Sequence, residues 1–258
     1  LCSDYLTQGP VVQEFEKAVA AMCDAEYAVA VNSATSALHI ACIALGLRSG
    51  DWLWTTPNTY VASANSAIYC GAQVDFVDID PETYNLCPHK LEQKLKSAEQ
   101  SGLLPKVVMP VHFSGQPCDM ERISSLGERY NFKIIEDASH ALGARYKNQM
   151  TGHCEYSDVT VFSFHPVKLI TTGEGGMALT NDKCLAEHMA RLRSHGVTRN
   201  EEHMAQKNVG PWYYEQIDLG FNCRMSDLSG ALGRAQLARL DQFIARRRQI
   251  VATYNREL

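Results

Sequence analysis

A few short stretches of this 258-residue chain hold side chains able to do covalent chemistry. In Phe162-Ser163-Phe164-His165-Pro166-Val167-Lys168, one lysine follows an apolar run and precedes Thr171-Thr172-Gly173-Glu174-Gly175-Gly176. A surface lysine is charged and inert, whereas one withdrawn from water releases its proton more readily and becomes an amine nucleophile able to form a Schiff base with an aldehyde. The glycines after it would let the backbone approach closely. In Ile134-Ile135-Glu136-Asp137-Ala138-Ser139-His140, two carboxylates and an imidazole stand where a buried strand is expected to end. Asp137 there either caps a following helix or pairs with a protonated ring nitrogen, keeping a cofactor electron-withdrawing. His140 is a hydrogen-bonding neighbour of the same group or a core histidine. Asn32-Ser33-Ala34-Thr35-Ser36 joins a strand to a helix, either as an ordinary cap or as a seat for a phosphate. Tyr60, after Thr55-Thr56-Pro57-Asn58-Thr59, either lays its ring on a flat cofactor or fills core. A lysine for an aldehyde, a carboxylate for a ring nitrogen and a phosphate seat converge on pyridoxal 5'-phosphate. His153, Cys154 and His165 lack metal-ligand spacing, so no metal site is expected.

The elements that must position these residues alternate between short apolar runs and helical patterns from residue 25 to 185, the signature of crossover units in a mostly parallel sheet. Strands are predicted at Tyr27 to Val31, Trp52 to Thr55, Gln73 to Val77, Val107 to Val111, Phe132 to Ile135, Val159 to Phe164 and Met177 to Thr180. One helix is expected to bury Leu38, Cys42 and Leu45, and another to run from Tyr60 to Tyr69. The reading is a three-layer α/β/α architecture, and in such sheets ligands bind beyond the carboxyl ends of the strands.

Leu1 to Gly9 opens without an element of its own, which predicts sequence upstream. Leu237, Leu240, Phe243, Ile244, Ile250, Val251, Tyr254 and Leu258 recur at helical spacing, predicting a helix that leads into a further, C-terminal domain. The expected organisation is a cofactor-binding large domain over residues 1–235 and the start of that helix over 236–258. With 24 Lys and Arg against 29 Asp and Glu, the net charge of −5 is spread without basic blocks, which argues against nucleic acid. No apolar run is long enough to span a membrane, and no signal-like segment opens the chain. Nine cysteines at irregular spacing, among them Cys42, Cys70 and Cys223 in apolar stretches, predict reduced, buried thiols in a cytoplasmic protein.

The ordered motifs, from Asn32-Ser33-Ala34-Thr35-Ser36-Ala37-Leu38 through Thr59-Tyr60-Val61-Ala62, Pro110-Val111-His112 and Glu136-Asp137 to Ser163-Phe164, Lys168 and Gly173-Glu174-Gly175-Gly176, continue into Gly220-Phe221-Asn222-Cys223-Arg224-Met225-Ser226-Asp227 and Arg246-Arg247-Arg248. In this order they resemble the DegT/DnrJ/EryC1/StrS sugar aminotransferases, within the fold-type I, aspartate-aminotransferase-like enzymes. The resemblance covers nearly the whole chain. It implies that Lys168 carries pyridoxal phosphate, Asp137 pairs with the pyridine nitrogen, His140 neighbours the phenolic oxygen and Tyr60 stacks on the ring. It further implies that Thr35, the Ser36 amide and Ser163 hold the phosphate, and that Asn222 completes the phosphate site of the neighbouring subunit in a homodimer with shared active sites. Lysine at position 168, where dehydratase relatives have histidine, implies transamination.

Leu6-Thr7-Gln8-Gly9-Pro10, Asn32 to Leu38, Ser139-His140-Ala141-Leu142-Gly143 and Arg193-Ser194-His195-Gly196 look most like the members serving pseudaminic acid biosynthesis, hence bacterial surface or flagellar glycan. The implied substrate is a 4-keto-6-deoxy nucleotide sugar, UDP-4-keto-6-deoxy-N-acetyl-β-L-altrosamine, with glutamate as amino donor. The alternatives are transamination of a different keto sugar, or a cofactor-binding fragment inactive without its C-terminal domain.

Overall fold

The computed structural model describes residues 4–207 and 209–258. Leu1 to Ser3, the start of the expected large domain, lie outside the described residues. In chain order the elements are α1 (Pro10–Cys23), β1 (Tyr27–Val31), α2 (Ala34–Ala44), β2 (Trp52–Thr55), α3 (Val61–Tyr69), β3 (Gln73–Phe76), α4 (Pro88–Ser101), β4 (Val107–Val108), α5 (Met120–Tyr130) and β5 (Lys133–Asp137). There follow a small hairpin of β6 (Arg145–Tyr146) and β7 (Gln149–Met150), then β8 (Val159–Ser163), β9 (Gly176–Thr180) and α6 (Lys183–Leu192). A second short pair, β10 (Val197–Thr198) and β11 (Glu215–Gln216), precedes α7 (Asp227–Leu237) and α8 (Leu240–Glu257).

Seven strands form the central sheet in the order β1-β9-β8-β5-β4-β2-β3. The pairs β8–β5, β5–β4, β4–β2 and β2–β3 are parallel, while β9 runs antiparallel to both β8 and β1. The expected mostly parallel α/β sheet is therefore what forms. The reversal at β9 follows from its connection: residues 164–175 hold no helix, and a parallel neighbour needs a crossover, usually helical.

Alternation along the strands distributes the core over two faces. Val29 and Val31 of β1, Val107 of β4, Ile135 of β5 and Val161 of β8 pack with α2, α3 and α6 on one face. Ala30 and Phe162 turn to the other face, beneath α1 and α8, as Val108 and Ile134 do beneath α4 and α5. This places Asp137, in phase with Ile135, on the α2–α3 side, and Glu136, in phase with Ile134, on the opposite side.

Local chemistry sets the ends of the elements. β4 is shorter than the predicted Val107 to Val111 because Pro110 has no N–H for the ladder, although Val111 still bridges Asp137. Pro10 opens α1, and the amides around it are taken by a side chain far along the chain: the Gly9, Val11 and Val12 N–H groups donate to the Asp227 carboxylate at 2.6, 3.0 and 3.2 Å. Gly233 on α7 lies where a Cβ would stand 2.6 Å from the Phe15 ring, so α1 and α7 meet face to face. The edge strand β1 is covered at Ala30, whose N–H donates to Glu16 at 2.8 Å and whose carbonyl accepts from Arg193 at 2.7 Å.

The single helical pattern expected after Leu237 is in fact two helices, broken at Ala238 and Arg239. Leu240, Phe243 and Ile244 join the core beside Phe164 and Ile170, whereas Val251 and Tyr254 stand exposed. All described cysteines are unpaired. Cys42 and Cys223 are buried as expected, but Cys70 is half-buried and Cys184 exposed.

Candidate active site

The carboxyl ends of β1, β5 and β8 converge with the starts of α2 and α3 on a cavity of about 620 Å³. Thr35, Tyr60, Asp137, His140, Ser163 and Lys168 all line it. Six of the eight residues predicted for the site are thus brought to one space from four separate regions of the chain.

Its floor is β5. Asp137 is 5% exposed, and its two oxygens are held differently: Oδ1 accepts from the Ser139 N–H at 3.2 Å and the Ser139 hydroxyl at 2.6 Å, and Oδ2 accepts from the Ser63 hydroxyl at 2.7 Å. No helix follows β5, so Asp137 closes a local turn rather than capping a helix.

Lys168 comes from the loop after β8, which is tied down at several points. The Phe164 N–H donates to the Gly175 carbonyl at 2.8 Å, the Thr172 N–H returns to the Phe164 carbonyl at 3.0 Å, and Ile170 is sunk into the core at 1% exposure. Within it the Lys168 N–H donates to the His165 carbonyl at 2.9 Å. The side chain is half-buried, and that desolvation pushes its pKa down from the ordinary lysine value while the Asp137 carboxylate pulls it back up. His140 is also depressed, first by burial and then by the Lys168 charge, against the opposing pull of Asp137. His140 is exposed at the rim and not a core histidine.

One wall of the cavity is the N-terminus of α2. Ser33 caps that helix, its hydroxyl accepting the Ser36 N–H at 3.1 Å, and Ser33, Ala34 and Thr35 face the cavity. First-turn amides have no acceptor inside their own helix, and their dipoles favour an anion. Ser163, 8% exposed at the end of β8, adds a hydroxyl. The backbone of β9 slides directly beneath this helix end, since a Cβ on Gly176 would stand 2.4 Å from the Ala34 nitrogen. Ser36 and Asn222 are not on the lining. The Ser36 hydroxyl instead donates to Asn32 at 2.7 Å, and Asn222 is exposed on the segment that bridges Ser194.

Tyr60 precedes α3 and is 76% exposed at the mouth, so it is not a core aromatic. Two further residues escaped the sequence reading. Ser63 lies one helical turn past Tyr60 on the buried face of α3, where Ser66 is buried as well, so nothing in the sequence sets it apart from its neighbour. His112 belongs to the Pro110-Val111-His112 motif, in which its residue type alone assigns it no role. It is fully buried, accepts the Cys118 N–H on Nδ1 at 3.1 Å and therefore presents its Nε2–H to Glu136 at 2.7 Å. Among the described residues no group of three His, Cys, Asp or Glu side chains is placed to hold a metal ion.

A family model described as the DegT/DnrJ/EryC1/StrS aminotransferase family matches residues 1–258. The chain is 41% identical over 258 residues to the UDP-4-amino-4,6-dideoxy-N-acetyl-beta-L-altrosamine transaminase of Campylobacter jejuni, covering 100% of this chain and 64% of that protein. It is 42% identical over 250 residues to the GDP-perosamine synthase of Caulobacter vibrioides, covering 97% and 62%. Among solved structures it is similar to Helicobacter pylori PseC, an aminotransferase involved in the biosynthesis of pseudoaminic acid, at 31% identity and a TM-score of 0.87 over 98% of this chain and 64% of that one. It is also similar to the PLP-form of the sugar aminotransferase Spr1654 of Streptococcus pneumoniae, at 29% identity and a TM-score of 0.84 over 98% and 65%. The chain thus spans less than two thirds of the length of these relatives.

Proposed function

From the premise that the chain belongs to the DegT/DnrJ/EryC1/StrS aminotransferase family, we propose that it serves pyridoxal-phosphate-dependent transamination of a 4-keto-6-deoxy nucleotide sugar. The observation that carries this reading is the meeting of Lys168 and Asp137 in one cavity beneath the N-terminus of α2.

The residues fit the cofactor on three counts. The α2 N-terminus and the Ser163 hydroxyl offer donors to a phosphate, the Asp137 carboxylate suits a protonated ring nitrogen, and the half-buried Lys168 amine suits an aldehyde. When bound, pyridoxal phosphate would supply an aldehyde carbon to carry the amino group between the two partners and an electron-withdrawing ring to stabilise the carbanion. Tyr60, at the mouth, would cover a ring face, and His140, at the rim, would neighbour the phenolic oxygen. Lys168 would hold the cofactor through its Nζ and, when released, would move a proton at that same atom, which its lowered pKa favours. Asp137, its oxygens fixed by Ser63 and Ser139, would keep the ring nitrogen protonated.

In this reading residues 1–235 form the cofactor-binding domain, and the end of α7 with α8 follows it. Asn222 and the Ser36 amide would take up phosphate contacts, Asn222 from a second copy of the chain in a homodimer. The altrosamine transaminase and PseC support a pseudaminic acid precursor as the sugar; glutamate as donor and a cytoplasmic setting belong to the same proposal and rest on the sequence resemblance and the unpaired cysteines. The equal likeness to a GDP-perosamine synthase supports a second reading, in which the acceptor is a GDP-linked 4-keto sugar.

Incubation with pyridoxal phosphate, reduction with borohydride and peptide mass mapping test the central step. A pyridoxyl group fixed to Lys168, and none in Lys168→Ala, is expected. A label distributed over surface lysines and unchanged in that variant would overturn the reading. Amino transfer from glutamate to UDP- and GDP-linked 4-keto-6-deoxy sugars then separates the two acceptors.

A further inference from the structure

Behind the cavity floor the carboxylate of Asp137 is gripped by a residue that does not itself face the cavity. Ser63 is fully buried on α3, and its hydroxyl oxygen lies 2.7 Å from Asp137 Oδ2 and 2.7 Å from the Thr59 hydroxyl. An ionised carboxylate can only accept hydrogen bonds, so the Ser63 proton must point to Asp137. That leaves Ser63 Oγ as the acceptor of the Thr59 proton. The direction of the chain is therefore fixed as Thr59 to Ser63 to Asp137, and Thr59 is itself on the cavity wall. Hydrogen bonds in series polarise one another and strengthen at a charged terminus.

We propose that Ser63 is a positioning residue: its hydroxyl, oriented by Thr59, sets the plane and lateral placement of the Asp137 carboxylate toward the ring nitrogen of the cofactor. The inference rests on the reading of the cavity as a pyridoxal phosphate site. Ser139 fixes Oδ1 from the loop side and Ser63 fixes Oδ2 from the helix side, so the carboxylate is clamped at both oxygens by elements from opposite sides of the site. Without Ser63 the carboxylate can rotate about its Cβ–Cγ bond and no longer presents one fixed plane to a bound ring.

The test is a double-mutant cycle on Ser63→Ala and Thr59→Val. Alanine is the best helix former, so α3 is retained, and the melting temperature of the cofactor-free protein serves as control. Two quantities are read: the dissociation constant for pyridoxal phosphate and the visible circular dichroism of the bound cofactor, which reports its orientation. Ser63→Ala should weaken binding about tenfold, the size of one lost hydrogen bond to a charged group, and diminish the dichroism. Thr59→Val should weaken binding less in the wild-type background and add nothing in the Ser63→Ala background.

Binding within twofold of wild type with unaltered dichroism in Ser63→Ala would overturn the proposal. So would a Thr59→Val loss of equal size in both backgrounds, which would mean that Thr59 acts on the cofactor by itself. A merely structural role would lower the cofactor-free melting temperature and leave the dichroism as it was. Absence of pyridoxal phosphate binding in the wild-type protein would overturn the functional reading and this proposal with it, a result distinct from failure of the clamp alone.

Discussion

Glu136 and Asp137 are consecutive carboxylates on one strand, both nearly inaccessible, and both accept three hydrogen bonds. Glu136 takes the Ser157 and Thr160 hydroxyls on Oε1 at 2.5 and 2.9 Å and faces His112 Nε2 with Oε2 at 2.7 Å. Asp137 takes Ser139 twice and Ser63 once. Counting partners does not tell the two apart. What differs is the space before them: the void that Glu136 touches is about 20 Å³, room for a water, whereas Asp137 opens on about 620 Å³ with a lysine across it. The strand pleat sends one carboxylate into a closed scaffold and the other into a site. Satisfaction of hydrogen bonds marks a buried carboxylate as stable, and adjacent volume with a depressed cation marks it as functional.

The largest effect that distinguishes the two sides is expected at Glu136. Glu136→Ala leaves the His112 Nε2–H and two hydroxyls without their acceptor and should destabilise the protein by about 3–5 kcal/mol, the range for breaking a buried charged network. The melting temperature would then fall by roughly 6–20 °C. A fall of under about 3 °C, within the slope expected for 1 kcal/mol, would show that the closed side is not a scaffold.

Asp137→Ala should invert the pattern. Cofactor-dependent amino transfer is expected to fall on the order of 10²–10³-fold, comparable to removing one preorganised electrostatic group from an active site. The melting temperature of the cofactor-free protein should shift by only a few degrees, because the two freed Ser139 donors line a cavity that water can enter and removal of the Asp137 carboxylate opens that cavity to the Ser63 hydroxyl. Near-normal transfer would mean that another group serves the ring nitrogen.

A smaller effect separates the sides by pH. Burial opposes ionisation of Glu136, but the His112, Ser157 and Thr160 donors outweigh it and hold its pKa below the usual glutamate value. A carboxylate whose folded pKa lies below its unfolded value of about 4.3 contributes stability that is fully present above that value and is lost as pH falls through the folded one. The melting-temperature gap between wild type and Glu136→Gln should therefore be widest above about pH 5 and narrow in acid. A gap that stays constant down the acid range would remove this contribution.

These contrasts also show which parts of the molecule could be read in one dimension. β1 and β2 match their predicted limits, since Tyr27 to Val31 and Trp52 to Thr55 are apolar runs closed by polar turns. Lys168 and Asp137 stood out because charge at the end of an apolar run is unusual. The antiparallel turn of β9 was hidden because strand direction depends on the length and structure of a connection, not on the strand's own residues. Asp227, at the cap of α1, was illegible for a similar reason: its partners are the amides of Gly9, Val11 and Val12, more than 200 residues away. Ser63 and His112 act through contacts that form only when α3 and the β4 loop close over β5, so no spacing in the sequence announces them.

The smallest effect concerns the charge that reaches across the cavity. Desolvation lowers the pKa of Lys168, and the Asp137 carboxylate is the group that opposes it. Replacing Asp137 by Asn removes the negative charge while keeping the shape and the capacity to accept from Ser63. The ammonium form of Lys168 then loses its stabilising neighbour, so its pKa should drop further and the free amine should appear at lower pH. Glu136→Gln removes an equal charge one residue away, yet on the far side of the sheet, and should leave Lys168 where it is. The measurement is reductive methylation of the cofactor-free proteins across pH, with modification of the Lys168 peptide followed by mass spectrometry. Asp137→Asn should move the midpoint to lower pH by a fraction of a unit to about one unit, the span of an ordinary neighbouring charge. An equal shift in Glu136→Gln would mean that the sheet does not separate the two carboxylates electrically. A midpoint that moves to higher pH in Asp137→Asn would reverse the sign that the cavity geometry requires.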